Sequence, residues 1–99
     1  MKLEIVTLPE FEEWLTNIKD GVTRRRLGRR LERAENGNLG DVEPVGEGVS
    51  EMREHFGQGW RMYFVRHGQT IIIMLGGGDK STQQRDITKA IALSKTLED

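Results

Sequence analysis

Five side chains of this sequence have the chemistry to hold a phosphate or move a proton: Arg53, His55, Arg61, Tyr63 and Lys80. An arginine grips a phosphate because its planar fork donates two parallel hydrogen bonds. Histidine is the side chain that exchanges protons most readily near neutral pH. A lysine beside backbone amides at a helix start adds positive charge where an oxyanion develops. A phenol can donate to a phosphate or offer a stacking face to an unpaired base. All five lie between residues 53 and 80, so one compact piece of the chain could assemble them.

The elements that must position them are legible from periodicity. In Trp60-Arg61-Met62-Tyr63-Phe64-Val65 the apolar Trp60, Met62 and Phe64 alternate with Arg61 and Tyr63. A strand sends alternate side chains to opposite faces, so one face is greasy and the other polar. Residues 49–56 also alternate, with Met52 and Phe56 on one side and Glu51, Arg53 and His55 on the other. Paired in a meander, the two strands place Arg53, His55, Arg61 and Tyr63 on one face, an anion-handling surface. The following strand, residues 70–75, is apolar on both faces and should be central. Gly76-Gly77-Gly78 should then turn tightly and deliver Lys80 to the start of a helix. Gln83, in the first turn of that helix, can bond a base edge or cap the helix. Plain structural roles stand beside these: an ion pair with Glu51 for Arg61, a cross-strand salt bridge for Arg53, solvation for Lys80 and His55, half-burial for Tyr63.

Residues 3–6 read as an opening strand, and Thr7-Leu8-Pro9-Glu10 resembles a capping box with proline in the first helical turn. Phe11, Trp14, Leu15 and Ile18 form one helical stripe, which Asp20-Gly21 should end. A second helix is expected over about residues 23–35, with Leu27, Leu31 and Ala34 inward and Asn36-Gly37-Asn38 as its stop. Arg24, Arg25, Arg26, Arg29, Arg30 and Arg33 cover its remaining surface, either as a grip on nucleic acid or an acidic partner or as a solvated face. Gly28 inside it costs about 1 kcal/mol against alanine unless it permits close packing. Residues 41–45 should be an edge strand because of Pro44, and Gly46-Glu47-Gly48 a hairpin turn. A last helix from Ser81 or Thr82, with Ser81-x-x-Gln84 as a second capping box, turns Ile87, Ala90, Ile91 and Leu97 inward.

Composition narrows the function classes. Ninety-nine residues with 35% hydrophobic content support a single domain over residues 1–99 with one modest core. Without cysteine, disulfides and thiolate metal sites are excluded, and two histidines make a structural zinc site improbable, so no metal or cofactor is expected. The longest apolar run, residues 71–75, is too short for a membrane span, and the first residues lack a signal-peptide pattern, so a soluble cytoplasmic protein is expected. Net charge is −1, yet the arginines concentrate in one band between acidic flanks. The glycines before Lys80 lack the spacing of a nucleotide P-loop, which argues against ATP.

The order of elements, together with Gly37-Asn38-Leu39-Gly40-Asp41, Val45-Gly46-Glu47-Gly48-Val49, Glu51-Met52-Arg53, Gly57-Gln58-Gly59-Trp60-Arg61-Met62-Tyr63-Phe64 and Gly76-Gly77-Gly78-Asp79-Lys80-Ser81-Thr82-Gln83, resembles the RelE/ParE superfamily of bacterial toxins over nearly the whole chain. Its HigB-like "addiction module killer protein" branch is the closer likeness. The resemblance implies an α+β fold: an N-terminal strand and helical hairpin packed on a mainly antiparallel four- to five-stranded sheet, plus a C-terminal helix. It also implies the toxin of a type II toxin–antitoxin pair, with a small helix-turn-helix antitoxin as partner. Members similar to RelE and HigB cut messenger RNA on the ribosome; members similar to ParE inhibit DNA gyrase and cut nothing. A degenerate toxin that only binds its antitoxin is the third possibility, and the fold does not choose among them.

For a nuclease, the resemblance implies Arg61 as the phosphate-binding arginine, with Arg53 and Lys80 as further basic positions. Arg24, Arg25, Arg29 and Gln83 would contact RNA or the ribosome. RelE also carries a catalytic tyrosine in its C-terminal segment, but nothing aromatic follows Phe64 here. Some HigB-type relatives use a histidine and an acidic residue near that end; this chain ends Leu97-Glu98-Asp99. That acid–base pair does not carry over, which leaves His55, Tyr63 or Lys80 to move the proton.

Overall fold

The structure, a computed structural model, describes residues 1–97. The elements follow as β1 (Glu4–Thr7), α1 (Pro9–Thr16), α2 (Gly21–Glu35), β2 (Val42–Gly46), β3 (Val49–Arg53), β4 (Arg61–His67), β5 (Ile71–Gly78), a 3-10 turn (Lys80–Thr82) and α3 (Gln83–Lys95). The sheet runs β1-β5-β4-β3-β2, with β1 parallel to β5 and every other pair antiparallel. This is the α+β arrangement expected, with the apolar β5 inside the sheet and the proline-bearing β2 at its edge. No described helix is long and apolar enough to cross a membrane.

Two layers of core follow from the strand alternation. Met52, Met62, Phe64, Ile72 and Met74 face α1 and α2, where Phe11, Leu27 and Ala34 are fully buried. Val49, Tyr63 and Leu75 face α3 and meet Ala90, Ile87, Ile91 and Leu93. Leu93 takes the place expected of Leu97, which is exposed because α3 stops at Lys95.

Several local expectations are corrected. Thr7 does not cap α1; Leu8 holds the cap position without a side-chain bond. Asp20-Gly21, expected to end the first helix, starts the second: α1 stops at Thr16, and the Asp20 carboxylate accepts from the Val22 amide. The Ser81-x-x-Gln84 box is also absent, and Asp79 caps the 3-10 turn by accepting from the Ser81 amide at 2.8 Å.

The glycine run is not a turn. Gly76, Gly77 and Gly78 continue β5, opposite Tyr63, Met62 and Arg61. At two of the three the missing Cβ admits a neighbour from another element: a Cβ on Gly77 would come within 2.5 Å of the Trp14 ring, and one on Gly78 would strike the Asp86 carboxylate. Because β1 pairs only as far as Met74, this end of β5 is open on one edge. It borders a cleft of about 380 Å³ between Trp14 of α1 and Lys89 and Leu93 of α3.

Gly28 packs against nothing: a Cβ there has open space within 4 Å. Gly28→Ala should therefore raise the unfolding free energy by about 1 kcal/mol through helix propensity alone. A urea titration checks this, and a loss of stability would mean an unseen close approach on that face of α2.

Candidate functional site

Strand register sets which of the candidates meet. Glu51 lies opposite Tyr63 and Arg53 opposite Arg61 across the β3–β4 ladder. Arg53, Arg61 and Tyr63 therefore do share the α3 side of the sheet. That face is not open. The apolar stripe of α3 needs a sheet face to bury, α1 and α2 occupy the other one, and the first turns of α3 close over Arg61 and Tyr63, leaving Arg53 half-buried at the margin.

Arg61 is 5% exposed and Tyr63 fully buried. Arg61 Nη1 donates to the Glu54 and Trp60 carbonyls, each at 3.1 Å, while its Nε lies 4.0 Å from Glu51 Oε1. Glu51, itself 3% exposed, accepts from Gln83 Nε2 at 2.9 and 3.1 Å. Gln83 thus neither caps its helix nor faces outward as a base reader; it seals the cluster. The ion pair with Glu51 that was one of two readings for Arg61 is present, but in the interior.

Within this cluster the Arg61 Nε and the Tyr63 hydroxyl have no hydrogen-bond partner. Burial, then the Glu51 charge, pushes the Tyr63 phenol above its ordinary value, so it stays protonated and is a poor base. An unpaired buried hydroxyl costs about 1–3 kcal/mol. Tyr63→Phe should return that amount in a chemical melt. Because the folded phenol titrates above the unfolded one, the wild type loses stability as pH climbs past about 10. Tyr63→Phe should flatten that limb, and an unchanged high-pH profile would count against the burial of the hydroxyl.

The exposed chemistry gathers elsewhere. His55 is not on a strand but in the loop of residues 54–60, and its side chain is 64% exposed. Its Nε2 lies 2.7 Å from Asp41 Oδ2. Arg53 Nε donates to the same oxygen at 3.3 Å, and Arg53 Nη1 sits 3.8 Å from Glu43 Oε2. The hydrogen bond from His55, and next the charge of Arg53, hold the Asp41 carboxyl below its usual range. An ionised carboxylate only accepts, so Nε2 carries the hydrogen of this contact, and in the neutral ring Nδ1 keeps its lone pair. This is an oriented imidazole with an accessible basic nitrogen.

Lys80 is exposed, and its chain lies across Gly59, where a Cβ would come within 2.8 Å of the lysine Cγ. Its backbone amide donates to the Gln58 carbonyl at 3.4 Å. The 3-10 turn and the His55 loop are therefore in contact. On α2, Arg24, Arg25 and Arg29 are exposed, with Arg24 donating to the Ile18 carbonyl. Arg26 stacks on Phe56 of the His55 loop, 3.7 Å from the ring centre. Arg30 is no part of the surface band: it is 4% exposed and paired with Glu54.

Asp41 was not among the sequence candidates, though the hairpin register could have supplied it. Counting outward from Gly46-Glu47-Gly48 as a three-residue turn, Val42 faces Met52. The ladder keeps that register because a shift between Pro44 and Gly46 offsets the pairing of Gly46 with Val49, which brings Asp41 to Arg53. Glu98 and Asp99, the acidic end noted in the sequence, lie outside the described residues.

Comparison with known proteins agrees with this architecture. Residues 13–96 match the family described as phage derived protein Gp49-like. A Haemophilus influenzae protein, described as uncharacterized, is 37% identical over 97 residues, covering 98% of both chains. The E. coli toxin RelE, solved in the free state as a double arginine-to-alanine mutant, superposes with a TM-score of 0.73 over 99% of this chain and 100% of its own. At 8% identity that likeness is one of fold. With most of its length inside the family match and a full-length relative above a third identical, the chain belongs to the Gp49-like family and is built on the fold of RelE.

Proposed function

We propose that this chain is the toxin of a toxin–antitoxin pair and that it cleaves messenger RNA without a metal. The observation that carries the reading is the exposed His55 held by Asp41, with Arg53 on the same carboxylate. In metal-independent cleavage the ribose 2′-hydroxyl attacks its own phosphate. His55 Nδ1 takes the hydroxyl proton, the 2′-oxygen bonds phosphorus, and the 5′-oxygen departs with a proton from solvent or Lys80. The products are a 2′,3′-cyclic phosphate and a 5′-hydroxyl end. Arg53 and Lys80 supply positive charge at the phosphate, and the α2 arginines Arg24, Arg25 and Arg29 face the surrounding RNA of the ribosome. The same basic faces would be covered by a cognate antitoxin, a small helix-turn-helix protein. The place of action is the cytoplasm.

One observation favours a second reading. Arg61 and Tyr63 are sealed beneath α3, which suits a ParE-like toxin that binds gyrase or a degenerate toxin that only binds its antitoxin. Inducible expression in bacteria, wild type beside His55→Ala, with mapping of mRNA 5′ ends, separates them. New 5′-hydroxyl ends within coding regions that vanish in the variant are expected. Growth arrest with intact mRNA and a DNA-damage response would transfer the case to gyrase. A soluble protein that causes no arrest would leave antitoxin binding alone.

A further inference from the structure

The loop that carries His55 carries Gln58 and Trp60 a few residues on, and there it borders two adjoining clefts. One, about 550 Å³, lies between this loop and the turn joining α1 to α2, and Trp14, Asn17, Lys19 and Trp60 line it. The other, about 450 Å³, opens beside Lys80 and shares Gln58 with the first. Both volumes fall in the range of about 300–1,000 Å³ usual for small-ligand sites.

Their lining is specific in kind. Trp14 and Trp60 meet edge to face, ring centres 6.4 Å apart at 61°, and both are only partly buried. Two carboxylates also border the clefts, but each is occupied with a helix start. Asp20 accepts from the Val22 amide at 3.1 Å and the Thr23 hydroxyl at 2.8 Å. Asp79 accepts from the Ser81 amide at 2.8 Å and its hydroxyl at 2.5 Å. Lys19 and Lys80 are exposed and make no ion pair among the described residues. The groove therefore presents a lysine without an ion pair at each end, each next to a carboxylate that neutral donors hold at a helix start, with an aromatic wall between them and the amides of Asn17 and Gln58.

We infer that this groove takes single-stranded RNA, with one base against Trp60 and flanking phosphates at Lys19 and Lys80. Aromatic side chains stack any base, cations follow the backbone, and side-chain amides bond a base edge. The inference rests on the ribonuclease reading and adds to it a base-holding subsite beside the His55 loop.

The test is fluorescence anisotropy with a short 5′-fluorescein oligoribonucleotide, fully 2′-O-methylated so that it cannot be cut. Trp60→Ala should weaken binding about 5- to 150-fold, the range for losing one stacked base. Trp60→Phe should retain most of the affinity, which distinguishes stacking from damage to the fold. Lys19→Gln, at an exposed position, should lower the slope of log affinity against log salt by about 0.7. Wild-type binding that neither Trp60→Ala nor Lys19→Gln alters would overturn the groove. So would an absence of binding by the wild type. If such a protein still generates new mRNA ends in cells, only the groove is lost; if it generates none, the ribonuclease reading falls with it.

Discussion

Arg30→Ala should lower the unfolding free energy by about 3–5 kcal/mol, the range for removing one partner of a buried ion pair. The guanidinium donates to the Leu39 carbonyl at 2.9 and 3.2 Å, to Asp41 O at 2.8 Å and to Arg53 O at 2.9 Å, besides its pair with Glu54. Gly40, at φ +68, lets the chain lie against it; a Cβ there would come within 3.0 Å of Nη2. Truncation would take the guanidinium's bonds from three carbonyls and its cation from a largely buried carboxylate, leaving the Asp41 carbonyl only the Arg53 amide. It would also loosen the segments that hold Asp41 and lead into His55, so the proposed dyad should lose its geometry with the fold. Arg30→Lys keeps the charge but not the planar fork, and should recover only part of the loss. Arg29→Ala, one residue away and exposed, should stay within about 0.5 kcal/mol of wild type. Urea titrations of the three variants decide the matter, and an Arg30→Ala no worse than Arg29→Ala would remove Arg30 from the core.

That contrast marks where the sequence stops being readable. The positions were available: Thr23, Leu27, Arg30 and Ala34 recur at helical spacing, and all four are buried. What hides Arg30 among its neighbours is that its acceptors arrive from 9 to 24 residues along the chain. The glycines of β5 fail for the same reason. A triple glycine reads locally as a turn, whereas here Gly77 clears space for Trp14 on α1, distant in sequence, and Gly78 for Asp86 on α3, which meets β5 only in the fold. The strands, by contrast, were legible because alternation is a local signal, and so were the apolar stripes of the helices, but not their ends: β3 stops at Arg53 short of His55, and Ile18 and Leu97 lie beyond α1 and α3. The burial of Arg61 and Tyr63 lay between these cases. Their alternation identified the face correctly, and the stripe on α3 required a face, but only the packed structure joins the two. In the candidate site, His55 was legible by type; Asp41 became its partner only through the register of the β2–β3 hairpin.

Arg61→Ala should also cost about 3–5 kcal/mol, and for a reason unconnected with phosphate. Glu51 would keep the two bonds from Gln83 but lose the only cation within 4.0 Å of it among the described residues. A buried carboxylate held by a neutral donor alone is worse than no charge at all. The variant Arg61→Met with Glu51→Gln removes both charges at similar volume, and should regain most of the stability that Arg61→Ala loses. A double-mutant cycle in urea would report a coupling of roughly 0.5–3 kcal/mol between the two positions. The same pair of variants separates structure from chemistry. Loss of toxicity in Arg61→Ala alone is uninformative, because an unfolded toxin is also silent. If the double variant folds and still cuts mRNA, Arg61 is a core residue, as its burial indicates. If it folds, binds RNA and cannot cut, the arginine must reach the phosphate in the working state, and α3 must then move away from the sheet to let it.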